Sequence, residues 1–230
     1  MEPDPNFYIE SPRLFLSHFI AENPKHCQHI ADLYFPSDNL LERTEMETPK
    51  RAQAVKKAHN FITGRSNRLL ARLGYGFFLC SLKTESNKLE DAIPVGVITL
   101  IRRDDTQEKD EISYTVPDVG FGMLPWARGK GYATEGAQAM IRYATETLGL
   151  EGVLGFADSD NAASRRTLEK AGLEYRGDRT LGAFKGDRSG VYALPGMGDL
   201  KEYNIADDPD SVASKFHQII ISNSESAFSD

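Results

Sequence analysis

Asp118-Val119-Gly120-Phe121-Gly122-Met123-Leu124-Pro125-Trp126-Ala127-Arg128-Gly129-Lys130-Gly131-Tyr132-Ala133-Thr134-Glu135-Gly136 passes from a short apolar run into a glycine-rich basic turn and then into a helical pattern. From Ala133 onward, apolar or small residues recur at Ala137, Met140, Ile141, Ala144 and Leu148, which is one face of a helix, and Gly149 follows as its C′ stop. The stretch reads as strand, turn, helix, with the turn at a helix N-terminus. Free N–H groups and the positive end of the helix dipole attract anions there. Gly129 and Gly131 let the backbone approach closely, and Arg128 and Lys130 add full positive charge. Such a turn suits a phosphate or diphosphate.

Two common phosphate motifs are excluded. A P-loop needs Gly-Lys-Ser/Thr, but Lys130 is followed by Gly131. The dinucleotide fingerprint needs a small residue where Thr134 stands, and no acidic ribose anchor lies about twenty residues on. Arg-x-x-Gly-x-Ala does fit, at Arg128, Gly131 and Ala133, and resembles the acetyl-CoA pyrophosphate loop of the GNAT acetyltransferase superfamily. The longer string Arg-Gly-Lys-Gly-Tyr-Ala-Thr-Glu-Gly is similar to its RimJ/RimL branch. A second segment, Asn161-Ala-Ala-Ser164-Arg165-Arg166-Thr167-Leu168-Glu169-Lys170-Ala171-Gly172-Leu173, resembles the branch's Asn-x-x-Ser…Glu-Lys-x-Gly-Phe helix at a fitting distance.

The resemblance implies a GNAT domain over residues 10–195, followed by a C-terminal extension over 196–230. The expected fold is α/β of the mixed α+β kind: a central twisted mixed β-sheet with two splayed parallel strands, flanked by helices. It also implies acetyl-CoA as cosubstrate, bound by Arg128, Gly129, Lys130, Gly131, Tyr132, Ala133 and Thr134, with its pantetheine arm between the splayed strands.

Composition bounds the alternatives. A chain of 230 residues holds one well-buried domain plus appendages. The net charge of −7 and a pI near 5.3 argue against general nucleic-acid binding and mildly favour cationic acceptors. Cys27 and Cys80 are too few for a disulfide framework. Met1-Glu2-Pro3-Asp4-Pro5 has no apolar segment behind it and does not read as a secretory signal, and no apolar run reaches membrane-spanning length. A cytoplasmic setting away from membranes is expected.

In chain order, the segment from Ser11 to Phe19 reads as an opening strand, matching the family's Arg-Leu-x-Leu. The segment from Pro24 to Phe35 reads as a helix, and a second runs from Thr48-Pro49 to about Leu73, broken near Gly64. The resemblance makes this helical pair one wall of the acceptor site. The stretches from Tyr75 to Leu82 and Ile93 to Leu100 read as a hairpin. The charged connection 102–117 reads as a solvated loop or a substrate-side flap. The segment from Val153 to Ala157 is a buried strand, and Asp158-Ser159-Asp160 supplies caps for the helix bearing Ser164. The segments from Leu173 to Thr180 and Gly190 to Leu194 make a closing hairpin whose loop, Gly182 to Ser189, faces the acceptor. Between Pro209 and Ile221, Val212, Phe216, Ile219 and Ile220 recur at helical spacing. That stripe calls for packing on its own domain or on a second subunit, as in a homodimer.

Acetyl transfer to an amine requires a neutral nucleophile, a stabilised oxyanion and a leaving thiolate. The resemblance assigns the oxyanion donors to backbone N–H groups around Met123 and Leu124. Asp118 stands where several relatives carry a catalytic Glu, so it is either the base or a turn residue after Pro117, with Glu111 in reserve. Many relatives carry a Tyr acid where Leu168 stands. Ser164 either meets the thioester sulfur or bonds its own backbone, and Asn161 either meets the pantetheine or caps its helix. Arg165 and Arg166 either reach the 3′-phosphate or are solvated. No His has metal-ligand spacing with suitable partners: His26 and His29 lack a third ligand, so no metal is expected. The leading expectation is an acetyl-CoA-dependent N-acetyltransferase acting on a protein N-terminus or a small-molecule amine. The alternative is a non-catalytic acyl-CoA-binding protein, in whose favour stands Leu168.

Overall fold

The computed structural model describes residues 2–35, 49–102, 114–181 and 188–205. The chain opens with β1 (Tyr8–Glu10) and β2 (Leu14–His18), followed by α1 (Pro24–Tyr34) and α2 (Pro49–Phe61). A π-helical turn, Ile62–Ser66, leads from α2 into α3 (Asn67–Leu73). Then come β3 (Phe77–Leu82), β4 (Ile93–Ile101), β5 (Asp118–Met123), α4 (Tyr132–Arg142), β6 (Leu154–Asp158), α5 (Ala162–Ala171), β7 (Glu174–Thr180) and β8 (Arg188–Ala193). The strands form one sheet in the order β1-β2-β3-β4-β5-β6-β8-β7. Neighbours are antiparallel except β5 and β6, which are parallel and joined through α4.

Side chains alternate between two buried faces. Leu14, Leu16, Phe78, Ile98 and Val119 lie under Ala137 and Met140 of α4, Ala144 of the π-helical turn Tyr143–Thr147 that follows it, and Leu168 of α5. Phe77, Leu79 and Val97 point the other way, onto Ile30 of α1, Ala58 of α2, Ile62 and Leu69. Each such fully buried large side chain contributes about 1.5–3 kcal/mol of transfer free energy. A third cluster, with Tyr114, Leu154, Val191, Ala193, Met197 and Leu200, covers the far end of the sheet. Close approach of α4 depends on Gly136, where a Cβ would stand 2.7 Å from Ile98 Cδ1.

Local chemistry explains the helix starts. Asn23 Oδ1 accepts from the Lys25 N–H at 3.0 Å, with Pro24 in the first turn of α1. The start of α5 corrects an expectation: its cap is Asn161, not the 158–160 run, because Asn161 Oδ1 accepts from the Ser164 N–H at 3.0 Å. The break expected near Gly64 is a widened turn, in which the Asn67 N–H reaches back to Ile62 O. Strand β1 was not foreseen. It is only three residues long, too short to show alternation. No described helix is long and apolar enough to cross a membrane. Glu111, the segment 209–221 and most of the 102–117 and 182–189 connections lie outside the described residues.

Candidate active site

Strands β5 and β6 share one register pair, Asp118 with Leu154, next to a 2.9 Å bond from the Leu154 N–H to Pro117 O. No later residue of β5 has a partner on β6, so the strands part along the rest of β5, about 17 Å at ~3.3 Å per residue. Register decides which amides face the gap. Met123 pairs with Gly96 on β4, and the Leu124 N–H donates to Val95 O at 2.9 Å. Hydrogen bonding alternates along an antiparallel pair, so Gly122 and Gly120 exchange bonds with β4 while the N–H groups of Phe121 and Met123 turn toward the gap. The Met123 N–H therefore faces the gap, whereas the Leu124 N–H is already given to β4 and is not free to act as an oxyanion donor. The Phe121 N–H is a second amide of β5 that faces the gap. Its signal was parity with Met123, which becomes readable once the register is known.

The basic turn follows from the end of β5. Gly129 and Gly131 have φ of +74° and +81°, the left-handed region that side chains rarely adopt, and α4 begins at Tyr132. Arg128 folds back, its Nε donating to Met123 O at 3.1 Å, which ties the turn to the strand. Lys130 Nζ lies 5.4 Å from the centre of the Trp126 ring, itself 50% exposed. Ala133, Thr134 and Glu135 form the first turn of α4.

Glu135 and Arg13 brace this turn, and the sequence reading assigned neither a role. Glu135 Oε1 accepts from Ser11 Oγ at 2.8 Å and from the Arg13 N–H at 2.7 Å, while Oε2 accepts from Arg13 Nε at 2.6 Å. Arg13 Nη1 also donates to Lys130 O at 3.2 Å, and its guanidinium lies over the Tyr132 ring. Burial, the largest single influence, would raise the Glu135 carboxyl, but the bonds from Arg13 and Ser11 together hold it below the ordinary 4.5. Beside the brace, a hollow of about 460 Å³ is lined by Arg13, Gly131, Thr134, Arg142 and Lys170, a basic surface at the N-terminus of α4.

Asp118 sits where the strands part. Its Oδ1 accepts the hydroxyl proton of Tyr114. It also lines a cavity of about 460 Å³ between α1, α2 and the sheet, together with Thr99, Phe121, Phe61, Phe77 and Arg65.

On α5, Ser164 is half-buried, and its hydroxyl has no partner among the described residues. Asn161 is the cap described above. Arg165 is partly exposed and held by neighbouring groups. It donates to Tyr192 Oη at 3.1 Å and to Ser159 O at 3.2 Å, and lies over the Tyr175 ring. Arg166 is exposed. Leu168 is fully buried between α5 and β6, where its Cδ2 would meet a Cβ on Gly155 at 2.7 Å.

The two histidines of α1 are structural. His29 Nε2 donates to Gly96 O at 2.9 Å, and His26 Nδ1 accepts from the Ile20 N–H at 3.0 Å. Among the described residues no group of three His, Cys, Asp or Glu is placed to hold a metal ion. The site thus combines an anion-binding turn, a gap lined on β5 by inward amides, and a carboxylate opening onto a separate aromatic cavity. That donor set fits an extended ligand with a diphosphate at one end and amide groups along its length.

The family model described as an acetyltransferase (GNAT) domain matches residues 14–174. The FsC-acetyl coenzyme A-N(2)-transacetylase of Aspergillus fumigatus is 45% identical over 58 residues, and that match spans 25% of this chain and 25% of the relative's own length. A GNAT-family acetyltransferase from Bacillus anthracis superposes with a TM-score of 0.55 at 20% identity, covering 82% of this chain and 98% of its own. RimL, a ribosomal L7/L12 alpha-N-protein acetyltransferase in complex with coenzyme A, superposes with a TM-score of 0.52 at 15% identity over 81% of this chain and 97% of its own. At those identities the two structures speak for the fold.

Proposed function

Because this chain belongs to the GNAT acetyltransferase family, whose members take acetyl-CoA as acetyl donor, we propose that it transfers the acetyl group to a primary amine by direct attack. The observation that carries this reading is the alignment of three parts along one strand. The positive-φ turn lies beyond the end of β5, the Phe121 and Met123 amides face the gap, and Asp118 stands at the other end, opening onto the aromatic cavity.

In this reading the turn and the first amides of α4 hold the diphosphate, and the gap holds the pantetheine. The N–H groups of Phe121 and Met123 stabilise the oxyanion. Asp118, oriented by Tyr114, takes a proton from the acceptor ammonium directly or through a water, since an amine of pKa near 10 is mostly charged at neutral pH. The neutral amine attacks the thioester carbonyl, the C–N bond forms, and as the C–S bond breaks the surplus proton on nitrogen passes to the departing thiolate, giving the amide and the free thiol. Ser164 stabilises the departing thiolate by hydrogen bonding, and a thiol of pKa near 8.5 needs no strong acid.

Asp118→Asn should lower turnover by about 10²–10⁴-fold, the span for a lost general base, and leave acetyl-CoA affinity unchanged. Raising the pH should restore part of the rate as more acceptor becomes neutral unaided. Wild-type turnover in that variant would remove Asp118 from the mechanism. A second reading, non-catalytic acyl-CoA binding, is favoured by Leu168, whose burial leaves no acid at the position where many relatives carry tyrosine. Thiol release from acetyl-CoA with a broad amine panel separates the two.

A further inference from the structure

The acceptor cavity has two chemically distinct ends. At one end, Thr99 and Asp118 share a sheet face on neighbouring strands, two residues apart in register. Thr99 Oγ1 lies over Gly120, 2.6 Å from where a Cβ would stand, so the hydroxyl occupies the space a side chain there would fill, on the face that also bears the Asp118 carboxylate. Both groups accept hydrogen bonds, which suits an amine.

Arg65, on the π-helical turn, lines the same cavity. That turn exists because the Asn67 N–H skips to Ile62 O, while the Thr63 hydroxyl bonds back to His59 O at 3.0 Å. The extra residue re-aims the side chains that follow. Arg65 comes to lie with its guanidinium 5.6 Å from the centre of the Phe77 ring, on the cavity wall beside Phe61. Among the described residues it has no carboxylate partner. A guanidinium stacked on an aromatic wall and lacking an anion presents planar donors to whatever fills the cavity.

We propose that Arg65 is a specificity-determining residue, selecting acceptors in which the reactive amine sits on an apolar body whose far end bears a carboxylate or another anionic group. This rests on the acetyl-transfer reading above. A second ammonium at that end would face Arg65, and the like charges repel, weakened by the solvent that reaches this exposed arginine. An anionic end would gain a charge-assisted pair.

The test uses three acceptors with one body: 2-phenylethylamine, its para-carboxylate and its para-aminomethyl counterpart. Thiol release from acetyl-CoA is followed for the wild-type full chain and for Arg65→Glu, with acetyl-CoA affinity measured by calorimetry. Arg65 is exposed on its helix, so the substitution leaves the core intact. The wild type should prefer the carboxylate over the diamine by kcat/KM. Arg65→Glu should reverse that order, with about a tenfold change for each charged acceptor, between a screened surface pair and a shielded one. Acetyl-CoA affinity should be unaffected, and the neutral amine should change less than either charged acceptor. A wild type that prefers the diamine, or an Arg65→Glu ratio equal to the wild type's, overturns the assignment while acetyl transfer stands. No release with any of the three amines, with acetyl-CoA still bound, overturns both.

Discussion

Arg13 shapes the anion-binding turn from outside it. The two cations within the turn are occupied, Arg128 with Met123 O and Lys130 against Trp126. Arg13 reaches in from just ahead of β2 to hold both Lys130 O and the Glu135 carboxylate. Its Nη2 would lie 3.3 Å from a Cβ on Gly131, so the turn is closely fitted around it. Arg13→Ala should raise the KM for acetyl-CoA about tenfold with kcat within about twofold, the pattern of lost uniform binding. Arg13→Lys, keeping the charge without the planar fork, should fall between. Steady-state kinetics with acetyl-CoA varied checks both, and a fall in kcat alone would speak against a positioning role. None of this was legible in the sequence, since Arg13 and Glu135 are 122 residues apart and each is an ordinary surface residue type. The glycines were legible because only glycine adopts their φ without strain, and Asp118 because it begins the strand. Leu124 was misassigned because an amide's direction depends on strand register, which a single segment does not encode.

Helix α1 hangs on two histidines. His29 donates to Gly96 O on β4, and His26 accepts from the Ile20 N–H ahead of the helix. Burial lowers both pKa values from 6.5, His26 to about 4, because the charged ring would lose its hydration. The unfolded chain therefore takes up protons first. The stability that His26 contributes is complete above pH 6.5 and declines as pH falls from there to about 4. Mild acid should thus destabilise the protein in this window, and His26→Gln should flatten the loss, as read by denaturant midpoints at pH 7 and pH 5. An equal slope in that variant would place the effect elsewhere. The helix itself was plain in the sequence from its Asn23-Pro24 start and apolar spacing. Its anchors were not, because a buried neutral histidine and a solvated one look alike in one dimension. The π-helical turn was likewise hidden: Gly64 suggested interruption, and the chain instead widens its hydrogen bonding without leaving the helix.

At the scale of the molecule, the mixed sheet and its parting parallel strands were expected because one turn and one helix motif resemble a family that has them, while the strand–helix–strand order by itself gave only the parallel pair. The placement of β8 between β6 and β7 was not, because hairpin signals say which strands pair and not which one lies inside. The sheet is in effect two plates, β1–β5 and β6–β8–β7, joined by a single parallel register pair and the crossover helix. Each plate therefore presents a rim along the gap, and a rim is an edge strand placed at the centre of a sheet. Edge donors exchange their protons readily and can template any extended chain that enters. Deuterium uptake should be fast at the Phe121 and Met123 amides in the ligand-free protein, against slow uptake at Gly120 and Gly122, and acetyl-CoA should slow it. Equal protection at all four without ligand would mean that the rim is closed. If uptake does follow the ligand, acetyl-CoA behaves as an inner strand of a sheet the polypeptide leaves one strand short, and the empty protein is the form most exposed to misplaced strand pairing.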